Sequence, residues 1–194
     1  MSLAPISLLL VSGSLRAGST NAAVLRTAEA LTPDGVETVV YSGMAELPHF
    51  NPDDDTEGQP LHPAVAAMRD GVARADALLI CTPEYAGALP GALKNLLEWT
   101  VGDAGTYEKP AGWINAAGPA APTGAADAHE SLRKVLGYVG ADVVETACRR
   151  IPVTRQDVAE DGLIANSEAR AAIQRTVTAL AEHVRRRRDT PERG

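Results

Sequence analysis

The chain has 194 residues, 45% of them hydrophobic, and a formal net charge of −7, which predicts one domain with a sizeable core and argues against a nucleic-acid or anionic-membrane partner. Its two cysteines and four histidines match no metal-ligand spacing, and no apolar run approaches the length of a membrane span. The opening residues lack the pattern of a secretion signal, so we expect a cytoplasmic protein without membrane insertion.

The first part of the chain alternates between strand and helix patterns. Residues 6–11 form a short apolar run, typical of a strand buried on both faces of a parallel sheet. Residues 21–31 place apolar side chains at helical spacing, residues 36–41 predict a second strand, and residues 63–74 predict a second helix. Three consecutive aspartates at 53–55 predict a solvated loop, because they show no ligand spacing.

The second part repeats this alternation. It predicts a strand at 78–81, a helix from 90 to about 99, a strand at 113–116, a helix at 125–139, a strand within 142–151 and a closing helix at 168–187. Strands that alternate with helices predict an α/β fold, a five-stranded parallel sheet covered by helices on both faces. We expect one domain over residues 1–187 and a disordered basic tail at 188–194.

The loop after the first strand is rich in small and hydroxyl-bearing residues and leads into a helix. Gly13 and Gly18 allow the backbone to approach a ligand closely, and the start of the helix presents unpaired N–H groups. Arg16 adds a planar cation that suits phosphate oxygens. This combination predicts a phosphate-binding loop.

The spacing of residues within this loop narrows the choice of phosphate-containing ligand. A dinucleotide fingerprint needs G-x-G-x-x-G, and the loop lacks the middle glycine. Residues 13–20 read G-x-x-x-x-G-S-T, a Walker A pattern without its lysine, so the charge needed on the terminal phosphates of a nucleoside triphosphate is missing. A single phosphomonoester fits a short loop of Ser, Thr, Asn and Arg better, and flavin mononucleotide (FMN) is such a ligand.

Two more loops follow strands that end at the same predicted edge. Residues 82–87 (TPEYAG) follow the third strand, and residues 118–124 (GPAAPTG) follow the fourth. Open α/β sheets bind their ligands at the carboxyl ends of the strands. We therefore expect these loops to lie beside the phosphate-binding loop.

Three segments together resemble the NADPH-dependent FMN reductase family. They are GSLRAGSTN at 13–21, PEYAG at 83–87 and LPGALKN at 89–95, and the resemblance extends from residue 6 to about 144. It implies a flavodoxin-like, doubly wound sheet with strand order 2-1-3-4-5. It also implies an FMN cofactor and NADPH or NADH as the co-substrate.

The resemblance assigns a role to each loop. The FMN phosphate would be held by Ser14, Arg16, Ser19, Thr20 and Asn21. The isoalloxazine ring would lie along Pro83, Glu84, Tyr85, Ala86 and Gly87, largely through their backbone groups, and its other edge would be closed by Ala117 and Gly118.

The second loop contains a departure and two open roles. Ala86 stands where the family usually has Asn, which removes a side-chain contact to the flavin or nicotinamide. Glu84 is expected to cap a turn or pair with a neighbouring cation rather than take part in the chemistry. Tyr85 would either flank the ring or lie in a subunit contact.

The implied reaction passes hydride from NAD(P)H to FMN, and then electrons to a small acceptor such as a quinone, a free flavin, an azo compound or a metal oxyanion. Because the cofactor carries this chemistry, we predict no catalytic side chain. The helices after the third and fourth strands are apolar, and family members are commonly oligomers, so a homodimer or homotetramer is expected.

Two other functions are compatible with the sequence. A flavodoxin-like electron carrier would bind FMN without oxidising NAD(P)H, although such carriers usually sandwich the flavin between aromatic rings, and these loops offer only Tyr85. A protein that has lost its cofactor and binds a partner would agree with the alanine at position 86.

Overall fold

The computed structural model describes residues 4–190. Strands and helices alternate along this part of the chain: β1 (Ile6–Ser12), α1 (Thr20–Ala30), β2 (Val36–Tyr41), α2 (Pro63–Arg74), β3 (Ala77–Cys81), α3 (Gly91–Glu98), β4 (Pro110–Asn115), α4 (Ala126–Tyr138), β5 (Asp142–Arg150) and α5 (Ser167–Asp189). Short 3-10 turns lie at Gly43–Glu46, Pro52–Asp54 and Arg155–Asp157. The predicted elements are all present, with ends that differ by a few residues at most.

The strands form one parallel sheet with the order β2-β1-β3-β4-β5. Leu10 of β1 lies opposite Val40 on one side and Leu79 on the other. The central strands β3 and β4 are buried along their whole length, as expected for strands covered on both faces. The predicted doubly wound, flavodoxin-like α/β fold is confirmed.

The two faces of the sheet carry separate apolar cores. Leu8 and Leu10 of β1 point to the face covered by α1 and α5, whereas Leu9 and Val11 point to the face covered by α2, α3 and α4. Alternate side chains of a strand face opposite sides, so a run of consecutive apolar residues fills both cores. In the described part of the chain, every helix is too short or too polar to span a bilayer.

The end of the last helix differs from the prediction. Helix α5 extends to Asp189, so the expected start of a disordered tail at residue 188 is wrong. The Arg188 guanidinium donates to the Asp76 carboxylate at 2.7 Å and to the carbonyl of Ala4 at 3.0 Å. These bonds hold the last helical turn against the amino-terminal edge of the sheet. Residues 191–194 of the expected tail lie outside the described residues.

The aspartate loop is also only partly solvated. Asp53 and Asp54 are exposed, but Asp55 forms an ion pair of 2.6 Å with Arg69 of α2, and both side chains are about nine-tenths buried. Arg69 lies in the core because its Nε donates to the carbonyl of Trp99 at 2.8 Å. A buried guanidinium needs a counter-charge, which explains why Asp55 is drawn inward.

Candidate cofactor site

The three loops meet at the carboxyl edge of the sheet. We call residues 13–19 the first loop, residues 82–87 the second loop and residues 116–125 the third loop. The second and third loops and the start of α1, directly after the first loop, surround a cavity of about 260 Å³, lined by Thr20, Asn21, Thr82, Pro83, Glu84, Ala116, Ala117, Gly118, Ala121, Pro122, Ala125 and Val153. Six of the predicted site residues therefore share one cavity.

Gly13 joins the first loop to the second. Its N–H donates to the carbonyl of Cys81 at 2.9 Å. A Cβ at this position would lie 2.5 Å from the Cβ of Thr82, whose side chain is buried. Only glycine allows this close approach, so Gly13 is required for packing against Thr82, whereas the sequence suggested that it admits a ligand.

The start of α1 forms the floor of the predicted phosphate site. Ser19 is the N-cap, and its Oγ accepts from the N–H of Asn21 at 3.2 Å. The Asn21 side chain is buried, and its Oδ1 accepts from the Cys81 thiol at 3.2 Å. Ser19 and Asn21 therefore shape the loop, and the side of this turn formed by Thr20 and Asn21 lines the cavity.

Ser14 and Arg16 lie further out on the first loop. The hydroxyl of Ser14 accepts from the N–H of Arg16 at 3.3 Å, which bends the loop. The Arg16 side chain is exposed and has no carboxylate partner within 4.0 Å among residues 4–190. Neither residue lines the cavity, so their predicted contact with the phosphate stays a prediction.

A second arginine lies at the first loop and was missed in the sequence. The guanidinium of Arg155, on the connection from β5 to α5, lies 3.8 Å from where a Cβ on Gly18 would be. Gly18 has a φ of +66°, a left-handed conformation that glycine adopts without strain. The pairing spans well over a hundred residues of chain, and its only sequence signal is an arginine soon after the fifth strand.

Glu84 ties the second loop to the third. Its carboxylate accepts from the hydroxyl of Thr123 at 2.8 and 2.9 Å and from the N–H of Ala128 in the first turn of α4 at 3.2 Å. The N-cap residue of α4, Ala125, has no side-chain oxygen, so Glu84 supplies the cap. The expectation that Glu84 caps a turn is confirmed.

The tip of the second loop is a tight turn. Tyr85 and Ala88 exchange backbone hydrogen bonds of 3.0 and 3.2 Å, and the two residues between them, Ala86 and Gly87, have φ values of 52° and 71°. Positive φ at both central positions is typical of a type I′ turn. Tyr85 is 51% exposed, and none of Tyr85, Ala86 and Gly87 lines the cavity.

Asn115, at the end of β4, shapes the third loop. Its Nδ2 donates to the carbonyl of Gly124 at 2.8 Å, and its Oδ1 accepts from the N–H of Ala117 at 3.0 Å. Ala117 and Gly118 both line the cavity, as expected for residues that close one edge of a ring. A buried Asn at the end of an apolar strand was the signal that the sequence analysis overlooked.

Burial favours the neutral forms of one histidine and two cysteines, His129, Cys81 and Cys148. Burial lowers the pKa of His129 to about 4, and neither ring nitrogen has a hydrogen-bond partner within the described chain. The ring packs against Trp113, with 6.0 Å between centroids. Burial also raises the pKa of the Cys81 thiol, and raises that of the half-buried Cys148 to about 11. Both thiols are therefore protonated at neutral pH.

A larger cleft of about 490 Å³ lies at the opposite edge of the sheet. Its walls include Arg74, Lys109 and Arg187, but each of these cations already has a bonding partner within the protein. Arg74 pairs with Asp70, Lys109 donates to the carbonyl of Ala75, and Arg187 pairs with Asp142. The cavity between the loops has the free donors, and it lies at the edge where parallel sheets bind ligands.

The donor set at this edge fits FMN. Hydroxyls, free first-turn N–H groups and two arginines without ion pairs suit a dianionic phosphomonoester. The cavity beyond them has both apolar and polar walls, as a flavin ring with its polar rim requires. Thr20, the first residue of α1, lines the cavity.

Comparison with known proteins also indicates FMN as the cofactor. Residues 6–152 match the family described as NADPH-dependent FMN reductase. The chain is 34% identical over 185 residues to the NAD(P)H-dependent FMN reductase PA1204 of Pseudomonas aeruginosa, covering 94% of this chain and 97% of that protein. It is 30% identical over 187 residues to 2-hydroxy-1,4-benzoquinone reductase from a Burkholderia species, covering 94% and 98%.

Solved structures agree with these relatives. FerB from Paracoccus denitrificans, a flavoenzyme NAD(P)H:(acceptor) oxidoreductase, superposes with a TM-score of 0.80 and 26% identity over 93% of this chain and 98% of that one. A flavodoxin from Pseudomonas aeruginosa, at 16% identity and a TM-score of 0.57, shows the shared fold alone. The chain therefore belongs to the NADPH-dependent FMN reductase family, and the NAD(P)H-dependent, FMN-containing oxidoreductase predicted from its loops is confirmed.

Proposed function

We propose that this oxidoreductase binds FMN across its three loops and uses NAD(P)H to reduce quinones. The observation that carries this proposal is one cavity between the second loop, the third loop and the start of α1, with Arg155 close to Gly18 of the first loop. The acceptor is suggested by the Burkholderia relative, whose name identifies a benzoquinone as its substrate. Free flavins, azo compounds and metal oxyanions are the competing acceptors.

Within this proposal the phosphate lies at the start of α1. The first-turn N–H groups and the Thr20 hydroxyl donate to it, Arg16 and Ser14 close it from the outer side, and Ser19 and Asn21 hold the loop in shape. The ring lies along Pro83 to Gly87, with Ala117 and Gly118 at its other edge. These assignments follow the family resemblance, and six of the assigned residues line the cavity, namely Thr20, Asn21, Pro83, Glu84, Ala117 and Gly118.

The chain's residues bind and orient the reactants. FMN, when bound, supplies the hydride chemistry between NAD(P)H and the acceptor. Glu84 keeps the second and third loops together through Thr123 and Ala128, so its carboxylate is engaged in structure rather than in proton transfer. The exposed Tyr85 leaves one side of the ring position open for a nicotinamide or a quinone.

We also propose that the protein is a cytoplasmic homodimer or homotetramer with one FMN-binding domain. Exposed large side chains in or near α3 and α4, namely Val101, Tyr107 and Tyr138, suit a subunit contact. Two free cysteines suit a reducing compartment. Native size measurement should give at least twice the chain mass of 20.3 kDa. Elution as a single chain would contradict the oligomer.

The proposed function is tested with purified protein, FMN, NADPH and 2-hydroxy-1,4-benzoquinone. We expect bound FMN with its yellow absorbance, and NADPH oxidation that depends on the quinone. Arg16→Ala should weaken FMN retention by about tenfold or more, because a charged phosphate contact is lost. Bound FMN without NADPH oxidation would indicate an electron carrier, and failure to bind FMN would indicate a module that has lost its cofactor.

A further inference from the structure

We propose that Arg155 is a second phosphate-binding cation, and that it makes the site select FMN over riboflavin. The proposal rests on the proposed function, since it takes the flavin phosphate to lie at the first loop. Arg155 belongs to the 3-10 turn Arg155–Asp157, outside the loops expected to hold the cofactor.

Arg155 lies close to the first loop. Its guanidinium lies 3.8 Å from the Cβ site of Gly18, next to the N-cap of α1. Just before it, the carbonyl of Val153 lies 3.3 Å from the Cβ site of Gly118, and the Thr154 methyl lies 3.6 Å from the same point. The segment 153–155 therefore runs from the third loop to the first, and Arg155 is its contact with the phosphate-binding loop.

The turn that carries Arg155 is held in place. Asp157 Oδ2 accepts from both the N–H and the hydroxyl of Thr154 at 2.7 Å, which closes a capping box around Arg155. Further along the same connection, the N–H of Ile164 donates to the hydroxyl of Thr27 in α1 at 2.9 Å. The connection is thus tied to the same helix whose start faces the arginine.

The charges around Arg155 are a further argument. The chain has 25 acidic and 18 basic residues, yet Arg16 and Arg155 have no carboxylate within 4.0 Å in the described chain. The nearest acidic neighbour in sequence, Asp157, is engaged by Thr154. Arg155 is exposed and lies close to the residue before the N-cap of α1, where the helix dipole disfavours a cation unless an anion is bound. Its position therefore favours an anionic ligand at the first loop.

Two phosphate groups could satisfy this site, the phosphomonoester of FMN and the 2′-phosphate of NADPH. Arg155 contacts Gly18, in the loop that the family uses for the flavin phosphate, so we assign it to FMN. The two sources differ in a measurable way. An FMN contact changes flavin affinity, whereas an NADPH contact changes the ratio of KM values for NADPH and NADH.

The experiment is a flavin titration of the full chain and its variants, followed by flavin fluorescence. Arg155→Ala should weaken FMN binding about tenfold and leave riboflavin binding unchanged, because only FMN carries the phosphate. Arg155→Lys should recover part of the loss. Higher salt should narrow the difference between wild type and Arg155→Ala, because exposed charges are screened over about 8 Å at physiological ionic strength.

Arg175→Ala is the matched control. Arg175 is exposed on α5, outside the first loop. Its substitution removes one positive charge, as Arg155→Ala does, so the FMN affinity of the Arg175→Ala variant should equal that of the wild type.

Three results would overturn the assignment of Arg155. They are unchanged FMN affinity in Arg155→Ala, an equal loss for FMN and riboflavin, and unchanged FMN affinity with an altered KM ratio for NADPH and NADH. A wild type that binds FMN no more tightly than riboflavin would instead contradict the phosphate site of the proposed function, and with it this inference.

Discussion

Ala86 has a left-handed backbone conformation, which asparagine or glycine adopts more readily than alanine. Its φ of 52° precedes a φ of 71° at Gly87, and Asn-Gly is among the most favoured pairs for such a type I′ turn. A left-handed conformation costs an L-residue other than Asn, Asp or Gly about 1 kcal/mol. The asparagine usual in the family would therefore relieve this strain as well as add a side chain beside the ring.

Ala86→Asn should raise the free energy of unfolding by up to about 1 kcal/mol, because Asn tolerates the left-handed region. Urea denaturation measures the change. Ala88→Asn is the matched control, since Ala88 pairs with Tyr85 in extended backbone and gains nothing from the substitution. Lower stability in Ala86→Asn would contradict the explanation.

Asp55 is the other residue whose role depends on its surroundings. Its pair with Arg69 is almost fully buried, and Arg69 also lies 6.0 Å from the centre of the Trp99 ring. Asp55→Ala should lower the free energy of unfolding by about 3 kcal/mol, because a buried guanidinium loses its principal counter-charge. Asp53→Ala, in the exposed part of the same loop, should change it by less than about 0.5 kcal/mol. Equal effects in chemical denaturation would refute the buried pair.

Single residues show where sequence reasoning reaches its limit. Gly13 and Arg16 were identified because small size and fixed charge have the same meaning in any strand-to-helix loop. Arg155 and Asp55 were not, because their roles come from contacts between segments distant in sequence. Burial of a charge cannot be read from a polar loop until its partner is located.

Helix α4 connects the site to the core beneath it. Its first turn is capped from outside by Glu84, and its His129 ring is buried against Trp113. Glu84 tends to raise the pKa of His129, but burial dominates and lowers it to about 4. The neutral ring is therefore part of the packing under the third loop.

This burial predicts a pH-dependent stability. The His129 pKa is about 4 in the folded protein and 6.5 in the reference state, so the unfolded chain binds more protons between those values. Stability should therefore fall as pH falls through this window, by about 2 kcal/mol between pH 7 and pH 5 from this group. His129→Leu should remove that part of the loss, while His49→Leu, in solvent, should retain it. Urea denaturation at both pH values provides the comparison, and identical losses in wild type and His129→Leu would contradict it.

The ends of strands and helices were predicted most accurately where the hydrophobic pattern was strong. The apolar run of β1 and the helical spacing of α2 gave boundaries within a residue of those observed. Strand β4 begins at Pro110, three residues before its predicted start, because Ala111 and Gly112 pair with β3 although neither has a strand preference. Near the end of the chain, α5 continues to Asp189 because the Arg188 guanidinium donates a hydrogen bond to the Asp76 carboxylate, which stabilises the last turn.

On the scale of the whole molecule, the sheet topology creates the site. All five parallel strands end at one edge, and the strand order places β1 beside β3, so the loops that follow these two strands become neighbours. Alternating strand and helix patterns predicted a parallel sheet with the loops at its carboxyl edge, and the family resemblance implied the strand order. The shape of the cavity depended on Asn115, Glu84 and the β5–α5 connection, whose contacts cross between elements.

A crystal structure of the protein with FMN tests the central claim most directly. We expect the phosphate within hydrogen-bonding distance of the N–H groups at the start of α1 and of Arg16, with the ring across the second and third loops. This expectation would be contradicted by a phosphate bound elsewhere, such as the cleft beside Lys109 at the opposite edge, or by a first loop without ligand while Arg16 faces solvent.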